Sequence, residues 1–129
     1  LSTCRPNPYH NSTHAADVTQ ALLAIVYQDG LHTKFTDLEL LACFIAAIIH
    51  DVVHPGFSNP FLTKTQDEQA LMYNDQSANE ALSLSVGFKI LQSPECNLFK
   101  KMSREDYFYA RKCVPSRLVE LPAFFPATS

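Results

Sequence analysis

Ten consecutive apolar residues, 40–49 (LLACFIAAII), run without interruption into His50 and Asp51. That run falls well short of the roughly 20 residues needed to cross a bilayer as a helix. It carries no polar/apolar alternation of a half-buried strand. It is preceded by Thr36-Asp37-Leu38-Glu39, a capping box in which a threonine hydroxyl and a glutamate carboxylate satisfy backbone donors at a helix start. The segment therefore predicts a helix buried on most sides that delivers a histidine and an aspartate into or beside the core. Burying a carboxylate costs several kcal/mol unless a partner compensates it, so the end of this helix needs a cation or strong donors.

The rest of the chain reads as helical, and the expected fold class is all-α with about five helices. Val18, Leu22, Ile25 and Val26 form an amphipathic stripe ending near Gly30. Thr65 to Glu68 reads as a second capping box, opening a helix to about Tyr73. Ser77 to Glu80 reads as a third, followed by Leu82, Val86 and Ile90 at one-turn spacing. Ser103 to Asp106 is a weaker version with aspartate in the last place, leading into Tyr107, Phe108, Ala110 and Val114. Breaks are expected at Gly30, Pro55-Gly56, Ser93-Pro94 and Pro115. Pro115 should end the last helix, because proline lacks the backbone donor and crowds the preceding turn. Residues 115–129, with Leu118, Val119, Leu121, Phe124 and Phe125, then read as an extended apolar tail.

Four of the five histidines fall into two groups. His10 and His14 are four residues apart, with Asp17 one further turn along, so on a helix they share a face. His50 and His54 are likewise four apart, with Asp51 between them, and share a face if the helix continues. Neutral imidazole and carboxylate suit zinc, manganese or iron, and two such helices packed together could offer His14, His50 and Asp51 to one ion. A carboxylate can also bridge two ions. Asp17 reads equally as a residue orienting a histidine or as an exposed helix acid. His32 stands alone and reads as a surface or capping residue.

Composition narrows the class. The 129 residues are 47% hydrophobic and 18% charged, which is a globular composition and not a disordered one. The net charge of −3 argues against a basic nucleic-acid-binding face. Cys4, Cys43, Cys96 and Cys113 form no CxxC pair, so they read as reduced thiols of a cytoplasmic protein. No signal-peptide pattern and no membrane span are expected.

The string YHN-x-x-HA-x-DV-x-Q from Tyr9, together with HD-x-x-HPG-x-x-N from His50, resembles class I 3′,5′-cyclic-nucleotide phosphodiesterases, members of the HD-type metal hydrolases. The matching stretches are NPYHNSTHAADVTQ, FTDLELLACFIAAIIHDVVHPGFSNPFL, QALMYNDQS and LSVGFKIL, so the resemblance runs from residue 7 to about 114, with 115–129 divergent. It implies a partial phosphodiesterase helical bundle that hydrolyses cAMP, cGMP or both to nucleoside 5′-monophosphates through a metal-bridging hydroxide. His10 would protonate the leaving 3′ oxygen. His14, His50 and Asp51 would hold a zinc, and Asp51 would bridge to a second ion, magnesium or manganese. The same resemblance places His54 beside that ion and Glu80 in water-mediated contact with it. Tyr9 would line the pocket.

The chain departs from the family pattern at four places. Val53 stands where an acid is usual. Leu82 and Ser83 replace two histidines of a VLENHH-like string. The sequence diverges from Pro115. The later zinc-binding aspartate, the purine-reading glutamine and the aromatic clamp are absent. With no initiator Met and an orphan apolar tail, 1–129 is expected to be the N-terminal part of a larger catalytic domain, inactive and marginally stable alone, with regulatory domains possible elsewhere in a longer chain. The alternative these departures motivate is a truncated, inactive paralogue acting as a binding module.

Overall fold

The apolar run forms the centre of the molecule. In the computed structural model, which describes residues 7–28 and 30–124 with side chains through Leu118, it is the helix Asp37–Ile49. In chain order the helices are α1 (Ser12–Gln28), α2 (Asp37–Ile49), α3 (Asn59–Lys64), α4 (Glu68–Met72), α5 (Ala78–Leu91) and α6 (Arg104–Phe124), with a 3-10 turn at Leu31–Lys34 between α1 and α2. No strand occurs among the described residues, so the all-α expectation holds. None of these helices is long and apolar enough to cross a membrane.

Helix α2 packs against α1, α5 and most extensively α6. Ala42 and Ala46 on α2 and Ala110 on α6 are all fully buried; small residues at such positions let backbones approach closely. Val18, Leu22 and Val26 of the α1 stripe are buried against this core, together with Phe88, Leu91, Phe99 and Val114. Leu62, Ala70 and Ala78, with Tyr73 against them, make a smaller second cluster joining α3, α4 and α5. The Thr36 box forms as expected: the threonine hydroxyl accepts from the Glu39 N–H at 3.2 Å, and the Thr36 N–H donates to the Glu39 carboxylate at 2.9 Å. The Ser103 cap also forms, with the hydroxyl accepting from the Asp106 N–H at 3.0 Å.

Two of the expected caps are different in the structure. Thr65 closes α3 instead of opening α4, and Asp67 caps α4 by accepting from the Gln69 N–H at 2.9 Å. The reason is a Schellman motif: the Asp67 N–H returns to the Leu62 carbonyl and the Gln66 N–H to that of Thr63. Helix α4 ends the same way around Asn74. Ser77 makes no side-chain cap, because its backbone sits at φ 45° and not in the extended region from which a hydroxyl reaches the first turn. On α5 the buried positions are Ala78, Asn79, Ser83, Gly87, Phe88 and Leu91, whereas Leu82, Val86 and Ile90 are only partly buried.

Gln66 occupies the left-handed C′ position of α3 at φ 54° and is exposed. Glycine adopts that conformation without a Cβ penalty. Gln66→Gly is expected to stabilise the fold by about 0.5–1 kcal/mol, read as a raised urea midpoint at unchanged slope.

Pro115 does not end α6, which continues to Phe124. An interior proline costs about 3 kcal/mol in a helix, but Ala110, Val114 and Leu118, all buried, form one face that spans it. Pro115 lies off that face, on the rim beside exposed Arg111, so burial on both sides holds the helix together. The expected extended tail is thus helical through Phe124, and Leu118 is buried in the core. Phe125 and the residues after it lie outside the described residues, as does Cys4. Cys96 and Cys113 are free thiols among the described residues.

Candidate metal centre

Helix α1 supplies the first side of the site. Asn7 accepts from the Tyr9 and His10 N–H groups at 2.9 and 3.0 Å, and Asn11 from those of Thr13 and His14 at 3.0 and 3.2 Å. These two asparagines fix the turn that carries His10 and open the helix that carries His14. His10 itself precedes the helix. It meets His14 by way of this turn and not through a shared helix face; their rings lie edge to face at 5.8 Å.

Helix α2 supplies the second side. It ends at Ile49, His50 is its C-cap, and the chain then turns through Asp51, Val52 and Val53. His50 and His54 therefore do not share a helix face. His54 arrives through the turn and stacks on His10, with ring centroids 3.8 Å apart. Gly56, at φ 86°, lets the backbone reverse so that its N–H donates to His54 Nδ1 at 3.0 Å.

Three imidazole nitrogens converge on one oxygen of Asp51. His10 Nδ1 lies 2.8 Å from Asp51 Oδ2, His50 Nε2 2.9 Å and His14 Nε2 3.2 Å. The two Nε2 atoms of His14 and His50 are 3.3 Å apart. His10, His14 and Asp51 offer three ligand atoms within 4.8 Å of one another. His50 Nδ1–H donates to the Ala47 carbonyl at 2.7 Å. In neutral His50 that bond leaves a lone pair on Nε2, pointed at a carboxylate, and such an arrangement requires positive charge between them.

The electrostatics express the same demand. Burial acts to raise the Asp51 carboxyl, but the hydrogen bond and charge of His50, then those of His10, hold it well below the ordinary carboxylate range. Burial acts to lower His50, and Asp51 with the Ala47 carbonyl outweighs it, so His50 is raised. Burial and the neighbouring His50 lower His14. Burial and His10 lower His54, against the pull of Asp51 and Glu80. A divalent ion satisfies Asp51 with His14 and His50 as neutral rings. Tetrahedral zinc, with bonds near 2.0–2.1 Å, sets its ligand atoms about 3.3 Å apart, close to the 2.9–3.3 Å separations among His14, His50 and Asp51. The donor set fits a metal.

Tyr9 is exposed and packs against the His10 and His14 rings at 5.0 and 4.7 Å. Glu80 accepts from Asn59 Nδ2 at 2.9 Å; it closes no capping box with Ser77, so its carboxylate is held toward the loop. Asp17 is exposed on α1 and bonds none of the histidines. Asn11 and Asn59 lie within the quoted strings and Ser83 among the departures, but the sequence gives no role to them or to Asn7 and Asn79. Asn7 before a proline and Asn11 before a helix are turn and cap signals. The other three act across long sequence separations and leave no local signal.

The profile of the 3′5′-cyclic nucleotide phosphodiesterase family matches residues 9–118. The chain is 49% identical over 106 residues to 3′,5′-cyclic-AMP phosphodiesterase 4C of Mus musculus, covering 82% of this chain and 16% of that protein. The Rattus norvegicus 4C protein is equally similar, with 20% of its length covered. The chain thus spans a fifth or less of these relatives. Among solved structures, the phosphodiesterase domain of Salpingoeca rosetta rhodopsin phosphodiesterase superposes with a TM-score of 0.84 at 32% identity, covering 95% of this chain and 37% of that domain. Sequence, fold and the histidine–aspartate cluster agree: the chain belongs to the 3′5′-cyclic nucleotide phosphodiesterase family.

Proposed function

We propose that this chain provides the metal-binding and proton-donating part of a catalytic domain that hydrolyses 3′,5′-cyclic nucleotides to nucleoside 5′-monophosphates. The observation that carries this reading is the convergence of His10, His14 and His50 on Asp51 Oδ2. His14, His50 and Asp51 would hold a zinc, and Asp51, with Glu80 through water, would serve a second ion, magnesium or manganese. When bound, such ions neutralise a phosphodiester and acidify the attacking water.

The protein's own residues do the rest. His10 Nδ1–H donates to Asp51, which fixes the ring, and as the imidazolium His10 would pass its Nε2 proton to the departing 3′ oxygen and be left neutral. His54 Nδ1 accepts from Gly56, so in the neutral ring Nε2–H is the donor available to a phosphate oxygen. Tyr9 would form part of the pocket wall. cAMP is the first substrate to test, because both mammalian relatives are named for it; cGMP is the second. Free thiols at Cys96 and Cys113 fit a cytoplasmic location, and regulatory domains would lie elsewhere in a longer chain.

Leu82 and Ser83, in place of the histidines expected from the resemblance, favour a second reading, a truncated, non-catalytic binding or interaction module. A chimera separates the two: residues 9–118 replace the matching segment of the mouse 4C catalytic domain, and cAMP and cGMP turnover are measured. The catalytic reading expects turnover that falls about 10²–10⁴-fold on His10→Ala. A folded, metal-loaded chimera without turnover supports the module.

A further inference from the structure

The loop between α2 and α3 carries Asp51 and His54, yet it contains a strained residue. Val53 is β-branched and sits at φ 60°, a conformation such residues rarely adopt. Something must hold the loop there. Helix α5 presents two buried polar residues one turn apart, Asn79 (7% exposed) and Ser83 (1% exposed). Ser83 Oγ donates to the Val52 carbonyl at 3.0 Å, and Asn79 Nδ2 donates to the Phe57 carbonyl at 2.9 Å. The two anchored carbonyls bracket Val53 and His54. Asn79 is itself fixed: its Oδ1 accepts from Gln69 Nε2 at 2.8 Å, and its N–H donates to Asn59 Oδ1 at 2.9 Å. Asn59 in turn donates to Glu80. A buried, fully bonded network of this kind rigidifies what it touches.

We propose that Ser83 and Asn79 are positioning residues that lock the 51–57 loop, keeping His54 stacked on His10 and Asp51 seated among the histidines. Both stand at positions where the resemblance leads one to expect other residues, histidine and leucine. The proposal rests on the metal reading only for one of its two readouts.

The test uses Ser83→Ala and Asn79→Leu in the full chain, with amide hydrogen exchange by NMR and zinc titration. The His54 N–H bonds the Asp51 carbonyl at 3.1 Å and, with that of Gly56, reports the loop. In each variant these amides are expected to exchange at least about 10-fold faster, while those of Ile45 and Ile49 in α2 keep their rates. Zinc affinity is expected to fall about 10–100-fold, the usual effect of removing a group that orients ligands. Loop amides that keep their rates, or that speed up only in step with α2, overturn the proposal. So does unchanged zinc affinity in both variants when the wild type binds zinc. A wild type that binds no zinc overturns the metal reading instead, and loop exchange alone then decides the positioning claim. If one variant fails to fold, the other is decisive.

Discussion

Asp51→Asn is expected to weaken zinc binding by more than about 100-fold, because it removes the anion on which three imidazoles converge. Asparagine keeps the shape of the side chain but not its charge, and a divalent ion held by neutral ligands alone lacks the compensation that a buried cation needs. Outer-shell changes already cost 10–100-fold in affinity, and a direct ligand should exceed them. Calorimetric zinc titration reads the effect. In the metal-free protein the same substitution has a pH signature. The Asp51 carboxyl is held below its unfolded value, so its contribution is present above about pH 4 and fades as pH falls. His50 is raised, so its contribution is complete below its unfolded value near pH 6.5 and is lost as pH rises through the folded value. The gap in melting temperature between wild type and variant should thus be widest between about pH 4 and 6.5 and close on acidification.

Gly87→Ala is expected to destabilise the fold by about 1–3 kcal/mol, against the usual direction. In an unconstrained helix interior alanine is better than glycine by about 1 kcal/mol. Here a Cβ at position 87 meets Ile49 Cβ and Cδ1 at 2.9 Å and Cγ2 at 3.0 Å. The Cβ of Ile49 is fixed to its backbone, and Ile49 is buried, so the side chain cannot swing aside. Helix α5 must move from α2, and the displaced residue immediately precedes His50 and Asp51. Thermal melting should show a drop of about 3–15 °C for a chain of this size, and an unchanged or raised midpoint would show that the two helices separate freely.

The sequence makes the central helix legible, because ten apolar residues behind a Thr36 capping box have few other solutions. It also makes the membership of the site legible: His10, His14, His50, Asp51 and His54 all come together. The route by which they meet is less so. His10 enters from a turn pinned by Asn7, and His54 from a loop with Val53 at φ 60°, where equal i, i+4 spacing suggests two helix faces. Thr65 reads locally as a cap, and only the backbone bonds that close α3 shift that place to Asp67. Pro115 is a strong local signal overridden by tertiary burial of Ala110, Val114 and Leu118. Ser83 and Asn79 act on backbone carbonyls 31 and 22 residues away, and a carbonyl has no residue identity for a sequence to display.

The proposed site holds a divalent ion through His14, His50 and Asp51. Zinc titration of the wild-type chain at neutral pH tests it most directly. One tightly held ion per chain is expected, with protons released on binding as the imidazoles become neutral ligands and with histidine ring signals of His14 and His50 shifting together. A chain that takes up no zinc, or binds it without perturbing those two rings, contradicts it.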